Sequence, residues 1–144
     1  MDMLFLTVCR VLRNPDKTAI RNPHMKFQQE PLFYAEIRKE GYHIYNLENA
    51  ETPNYYPDEL QDYPGVSMRE LQEGDIITIR VYFGVGSGEE MQVDSGYVDL
   101  RVDHVDLDKV VAVIVSELPE EYALSMGDTI DVFAEEILCK NDIQ

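Results

Sequence analysis

The densest run of potential metal ligands in this chain is Asp99, Asp103, His104, Asp106 and Asp108. Carboxylate oxygens suit a hard cation such as Ca²⁺ or Mg²⁺. The run lacks the glycine and the closing glutamate of an EF-hand loop, and strand alternation sends Asp103 and His104 to opposite faces. It therefore reads as a solvated strand face and turn. No metal or other cofactor is expected, and a small enzyme or metal-dependent ligand-binding protein using the Asp99–Asp108 region stands as the alternative reading.

Other chemistries find weaker footing. A nucleophile needs a base within hydrogen-bond reach, and the candidates are Cys9, Cys139 and the serines with His24, His43 and His104. No Gly-x-Ser-x-Gly elbow occurs, Cys9 sits in an apolar run that disfavours its thiolate, and acids flank the tail around Cys139. Gly84-Val85-Gly86-Ser87-Gly88 has the look of a dinucleotide loop, but it leads into Glu89-Glu90-Met91 and a strand, where two carboxylates would repel a pyrophosphate. The adjacent pairs Glu120-Glu121 and Glu135-Glu136 cannot converge on one point as an acid–base pair must. No catalytic residue is assigned.

Charge distribution points instead to binding. Net charge is -16, and it lies entirely in the C-terminal part. Residues 1–57 carry seven acids and seven bases, whereas residues 58–144 carry twenty-one acids against Arg69, Arg80, Arg101, Lys109 and Lys140. Such a surface repels nucleic acid and anionic membranes and favours a basic protein. Within the N-terminal part, Arg10, Arg13, Lys17, Arg21 and Lys26 face only Asp2 and Asp16, a stretch that could lie on the acidic body of its own chain or of a neighbour. Tyr55, Tyr56 and Tyr63 fall in a proline-punctuated loop among acids, and tyrosine supplies rigid amphipathic contact area. The expected binding set is Tyr55, Tyr56, Tyr63, Asp99 and Asp103.

A single domain spanning residues 1–144 must position these groups; a chain of this size buries roughly 68–70% of its unfolded surface. Leu4–Leu12 reads as a core strand, with Asp2 and Arg10 arguing against a secretion signal, and no run reaches the ~20 apolar residues of a membrane helix. Two cysteines at opposite ends make no disulfide framework; with a single terminal bridge as the alternative, reduced thiols and a cytoplasmic location are expected. A helix from Pro31 to Gly41 competes with a hairpin turning at Lys39-Glu40-Gly41, because Tyr42–Leu47 alternates like a strand.

Strands dominate the remainder. Ile77, Ile79, Val81 and Phe83 share one face, with Thr78, Arg80 and Tyr82 on the other. Val98, Leu100 and Val102 alternate with acids and Arg101, after which Val105 and Leu107 change parity, so a bulge near His104 is expected. Val110–Val115 is apolar on both faces, as a central strand would be. Thr129–Phe133 is the last strand and Ala134–Leu138 a helical turn. The fold class expected is α+β: a curved, mainly antiparallel, barrel-like sheet with one or two short helices.

One phrase occurs twice: Leu71-Gln72-Glu73-Gly74-Asp75-Ile76-Ile77-Thr78-Ile79 returns as Leu124-Ser125-Met126-Gly127-Asp128-Thr129-Ile130-Asp131-Val132. Each copy reads as a turn feeding a strand, with Gly74 and Gly127 free to take positive φ and Asp75 and Asp128 able to bond nearby amides. With Gly88-Glu89-Glu90-Met91, Val93 opening a strand, and Leu118-Pro119, these turns make Val66 to Ile137 resemble the YegJ-like family of small bacterial domains. That resemblance implies a compact α+β or barrel-like fold, an interaction module of the kind linked to toxin immunity, and no catalytic residues. Together the sequence predicts a non-catalytic acidic protein-binding module, an inhibitor or immunity-type protein for a basic partner, of undetermined oligomeric state.

Overall fold

A computed structural model describes residues 33–49, 63–86 and 91–141. Six antiparallel strands form one curled sheet, a half-barrel, and one α-helix lies on it among the described residues. Helix α1 is Tyr34–Glu40, and the strands are β1 Tyr42–Ile44, β2 Ile76–Val85, β3 Gln92–Val105, β4 Lys109–Ile114, β5 Thr129–Phe133 and β6 Cys139–Asn141. Their order across the sheet is β1-β2-β3-β4-β5, and β6 shares the outer edge of β2 with β1. No described helix is long and apolar enough to cross a membrane.

Alternation makes the two faces of the sheet. Ile77, Ile79, Val81 and Phe83 pair with Leu100, Val98, Gly96 and Asp94 on the inner face, where they join Val110, Ala112, Ile114, Val132 and Ile137 in the main core. Each such aliphatic or aromatic side chain stabilises the fold by about 1.5–3 kcal/mol when fully buried. The outer face is aromatic and polar. There Phe33 and Ile37 pack with Tyr82, Val93 and Leu138 in a second cluster. Both helix and strand are therefore present between residues 33 and 47: Gly41, at φ 90, ends the helix by donating its N–H to the Ile37 carbonyl, and β1 begins at the next residue.

A register shift between Val102 and His104 lets Asp103 bulge out of the β3–β4 ladder. Val105 thereby packs on the core, while Leu107 stands 97% exposed at the hairpin tip. Three expectations need correction. Strand β4 is central in the order but is fully buried on one face only: Val110, Ala112 and Ile114 point inward, whereas Val111 and Val113 are half-buried and Val115 is 38% exposed. The chain after Phe133 makes a single 3-10 turn, Ala134–Glu136, and then pairs with β2 as β6, a strand too short to show alternation. Cys139 in β6 is buried and disulfide-bonded, in place of the reduced thiol expected; the other cysteine of the sequence, Cys9, lies outside the described residues, as does the expected strand Leu4–Leu12.

The repeated phrase builds the same object twice. Gly74 N–H donates to the Val102 carbonyl while Val102 N–H donates to the Asp75 carbonyl; Gly127 and Asp128 exchange the same two bonds with Ile114, all four at 2.8–2.9 Å. The Asp75 carboxylate accepts from Gln72 N–H at 2.9 Å and that of Asp128 from Ser125 N–H at 2.8 Å. Leu71 and Leu124 are buried beside them. Gly74 and Gly127 sit at φ 94 and 96, and a Cβ at either would meet only open space. The cost of Gly74→Ala or Gly127→Ala is then conformational alone, about 1 kcal/mol each. Denaturant melts should show both midpoints falling by similar amounts, with additivity in the double variant because the turns brace different strand pairs.

Candidate functional site

The sheet is not closed, and its two ends border one hollow. Tyr42 and Ile44 of β1, Asp131 and Phe133 of β5, Glu136 of the following turn, and Ala35, Glu36, Lys39 and Glu40 of α1 line a groove of about 550 Å³. Ligand pockets commonly run from ~300 to 1,000 Å³. Local structure sets each wall. The helix ends at Gly41, so Glu36, Lys39 and Glu40 fall beside β1. The 3-10 turn folds back after β5, so that the Phe133 N–H donates to Glu136 Oε1 at 2.9 Å.

Electrostatics concentrate there. Burial, then Glu40, Glu136, Glu36 and Asp131, push the Tyr42 phenol above its ordinary pKa, and all four carboxylates line the groove with it. Burial pushes the Glu136 carboxyl up to about 7, with Glu135 and Glu36 adding to the rise and the Phe133 N–H opposing it. Asp131 is engaged by Lys109 Nζ at 3.0 Å, which raises the lysine's pKa. Glu36 Oε2 lies 2.7 Å from His43 Nδ1. That imidazole stacks on Phe33 at 5.0 Å and is buried, which holds its pKa below the usual value although Glu36 pulls the other way. Among the described residues that line the groove, Lys39 is the one base.

Among the described residues, those singled out from sequence do not come together in one site. Tyr55 and Tyr56 lie outside the described residues. Tyr63 hydrogen-bonds the Tyr97 hydroxyl within the second cluster, and burial raises its pKa strongly. Asp99 is half-buried, accepts from Thr78 Oγ1 at 2.8 Å, and its N–H donates to Ser116 Oγ. Asp103 is exposed beside Arg101 at 3.5 Å. Of the metal-ligand run, His104 and Asp106 lie 3.7 Å apart and Asp108 is exposed on the hairpin, and no group of three or more His, Cys, Asp or Glu among the described residues could hold a metal ion. The segment 87–90 of the glycine loop is outside the described residues.

Two constellations had no clear signal in the sequence. Asp94 is 2% exposed on the inner face and accepts from the Tyr122 hydroxyl at 2.9 Å, while Tyr122 stacks on Phe83 at 4.0 Å. Arg80 lies over the rings of Tyr82 and Tyr97 and donates to Ser95 Oγ at 3.0 Å. The groove itself depends on four segments that meet only because the sheet curls, although Glu36 and Glu40 at helical spacing are a legible part of it. Comparison with protein-family models, with curated proteins and with solved structures finds no match.

The raised pKa of Glu136 has a sign that can be tested. Between about 4.5 and about 7 the folded state binds the extra proton, so stability falls as pH rises through that window. Glu136→Gln keeps the oxygen that accepts from Phe133 and removes the charge. Denaturant melts should find the variant more stable than the parent above pH 7, by about 1–2 kcal/mol after solvent screening, equal to it near pH 4, and flatter between. A parallel pair of curves would remove Glu136 as the group responsible.

Proposed function

We propose that the protein is a non-catalytic acidic module that binds a basic protein, as an inhibitor or immunity-type partner does, and that the groove between β1 and β5 is the docking face. The observation that carries this reading is that Glu36, Glu40, Asp131 and Glu136 line one groove with Tyr42, where Lys39 is the one base among the described lining residues. A carboxyl whose pKa burial lifts to about 7 is one for which a partner's ammonium or guanidinium supplies the missing counter-charge. Tyr42 and Phe133, the latter 39% exposed, offer the apolar contact that long basic side chains cover with their methylene stems. The kinship to YegJ-like domains suggested by the Gly74-Asp75 and Gly127-Asp128 turns points the same way.

This places the anchor elsewhere than the tyrosine loop. Asp103 adds to the long-range field, whereas Asp99 and Tyr63 are already engaged within the fold. Acidic density over residues 58–144 steers approach, and the groove decides where the partner stops.

The test separates local from global charge. Captured from host lysate at low salt and then purified, the partner should associate at about pH 8.5, where Glu136 is ionised, with E40Q/D131N/E136Q about tenfold more slowly than with E73Q/E117Q/E120Q, both triple variants losing nearly the same charge at that pH. Equal rates would remove the groove from the reading, and a partner retained at high salt with no loss of association rate would remove the electrostatic basis altogether.

A further inference from the structure

The groove has main-chain walls as well as charged ones. In an antiparallel ladder, alternate residues turn their peptide groups toward the neighbouring strand and the residues between turn theirs away. On β1, the Gly41 carbonyl accepts from Gly84 N–H and Tyr45 N–H donates to Arg80, so Gly41, His43 and Tyr45 face β2. Tyr42 and Ile44 therefore present their N–H and C=O groups to the groove. On β5, Ala134 N–H donates to Asp108 and the Asp128 carbonyl accepts from Ile114, so the even-numbered residues face β4. Thr129, Asp131 and Phe133 turn their peptide groups away from β4, and Asp131 and Phe133 line the groove, where the Phe133 N–H meets Glu136. Among the described residues no strand pairs with either of these edges.

We infer that the partner enters as an extended basic segment that adds a strand between β1 and β5, pairing through the peptide groups of Tyr42, Ile44 and Asp131. The inference rests on the reading of the groove as the docking face for a basic partner and specifies what docks there. Strand addition takes affinity from main-chain bonds and selectivity from alternate side chains. The two edges set that alternation. Tyr42 and Ile44 point their side chains to the inner face with Phe83 and Val81, whereas Asp131 and Phe133 point to the outer face with Val111 and Lys109. Apolar residues of an inserted strand would meet Tyr42 and Ile44, and the basic residues between them would meet Asp131 and the carboxylates of α1. The length is short: β1 is three residues and β5 five, so the segment recognised spans about one strand. Like charge disfavours the acidic part of a second copy, residues 58–144, as the occupant.

The experiment uses the full chain and a synthetic alternating Val-Lys hexapeptide, capped at both ends. Two further versions carry N-methyl groups on the lysine amides alone or on the valine amides alone, which keeps every side chain and deletes the main-chain donors facing one edge. A flexible Gly-Lys hexapeptide of equal charge is the comparison. Strand addition predicts that the Val-Lys peptide binds, that each N-methylated version binds at least about tenfold more weakly, and that hydrogen exchange slows at the amides of Tyr42, Ile44 and Asp131. Equal affinity for parent and N-methylated peptides would overturn strand addition and leave the charge-based docking reading intact. No binding of any basic peptide would overturn both. Slow exchange at Tyr42, Ile44 and Asp131 before peptide is added would show the edges already occupied by the protein's own chain, and would equally overturn the inference.

Discussion

A reciprocal pair of main-chain hydrogen bonds, made twice, is what the rest of this structure hangs on. At each sharp turn a glycine N–H reaches the carbonyl of a strand residue whose own N–H returns to the aspartate that follows the glycine. One copy clamps the start of β2 onto β3 and the other clamps the start of β5 onto β4. Because strand register has a period of two, these clamps also decide which side chains face inward. A slip of one residue at either turn would carry the Ile77–Phe83 or Ile130–Val132 apolar set to the wrong face.

From that constraint the incomplete barrel follows. The bulge at Asp103 increases local twist and bends β3, so the sheet curls far enough to bring β1 and β5 to one groove. Unpaired edges are a hazard for self-association, and proteins commonly guard them with charge. Here Glu136 occupies the Phe133 amide, and Glu36, Glu40 and Asp131 stand along the opening. The same charges oppose the approach of another copy of an acidic chain. Within the fold Asp131 is held by Lys109 and Glu36 by His43, while burial and the Phe133 N–H hold the Glu136 carboxyl.

Two buried polar groupings show how the domain admits polarity without losing its core. Asp94 on the inner face is matched by the Tyr122 hydroxyl, and on the outer face Thr78 links Asp99 to Asn141, whose amide donates to the Thr78 hydroxyl at 2.7 Å. The second network ties β6 to β2 and β3, which explains how so short a strand holds its place. Cys139 sits in that same strand, so its disulfide closes onto an element already fixed by side-chain bonds.

What the sequence by itself determined is local. Alternation in Ile77–Phe83 and Val98–Val102 names strands and their inner faces, the parity change after Val102 requires a bulge, and the repeated Gly-Asp turns mark where two strands begin, because each of these is dictated by the geometry of neighbouring residues. Helix and strand both appear in residues 33–47 because Gly41 separates two patterns that overlap when read together. Tertiary structure alone decided the rest. Whether Val111, Val113 and Val115 are covered depends on what lies across the sheet, and Leu107 is exposed because a hairpin tip has no neighbour to bury it. Tyr63 and Asp99 are engaged within the fold because Tyr97 and Thr78 meet them from distant positions. The groove exists only through the curl that brings residues 35–44 beside residues 131–136, a proximity set by long-range pairing that no local pattern encodes.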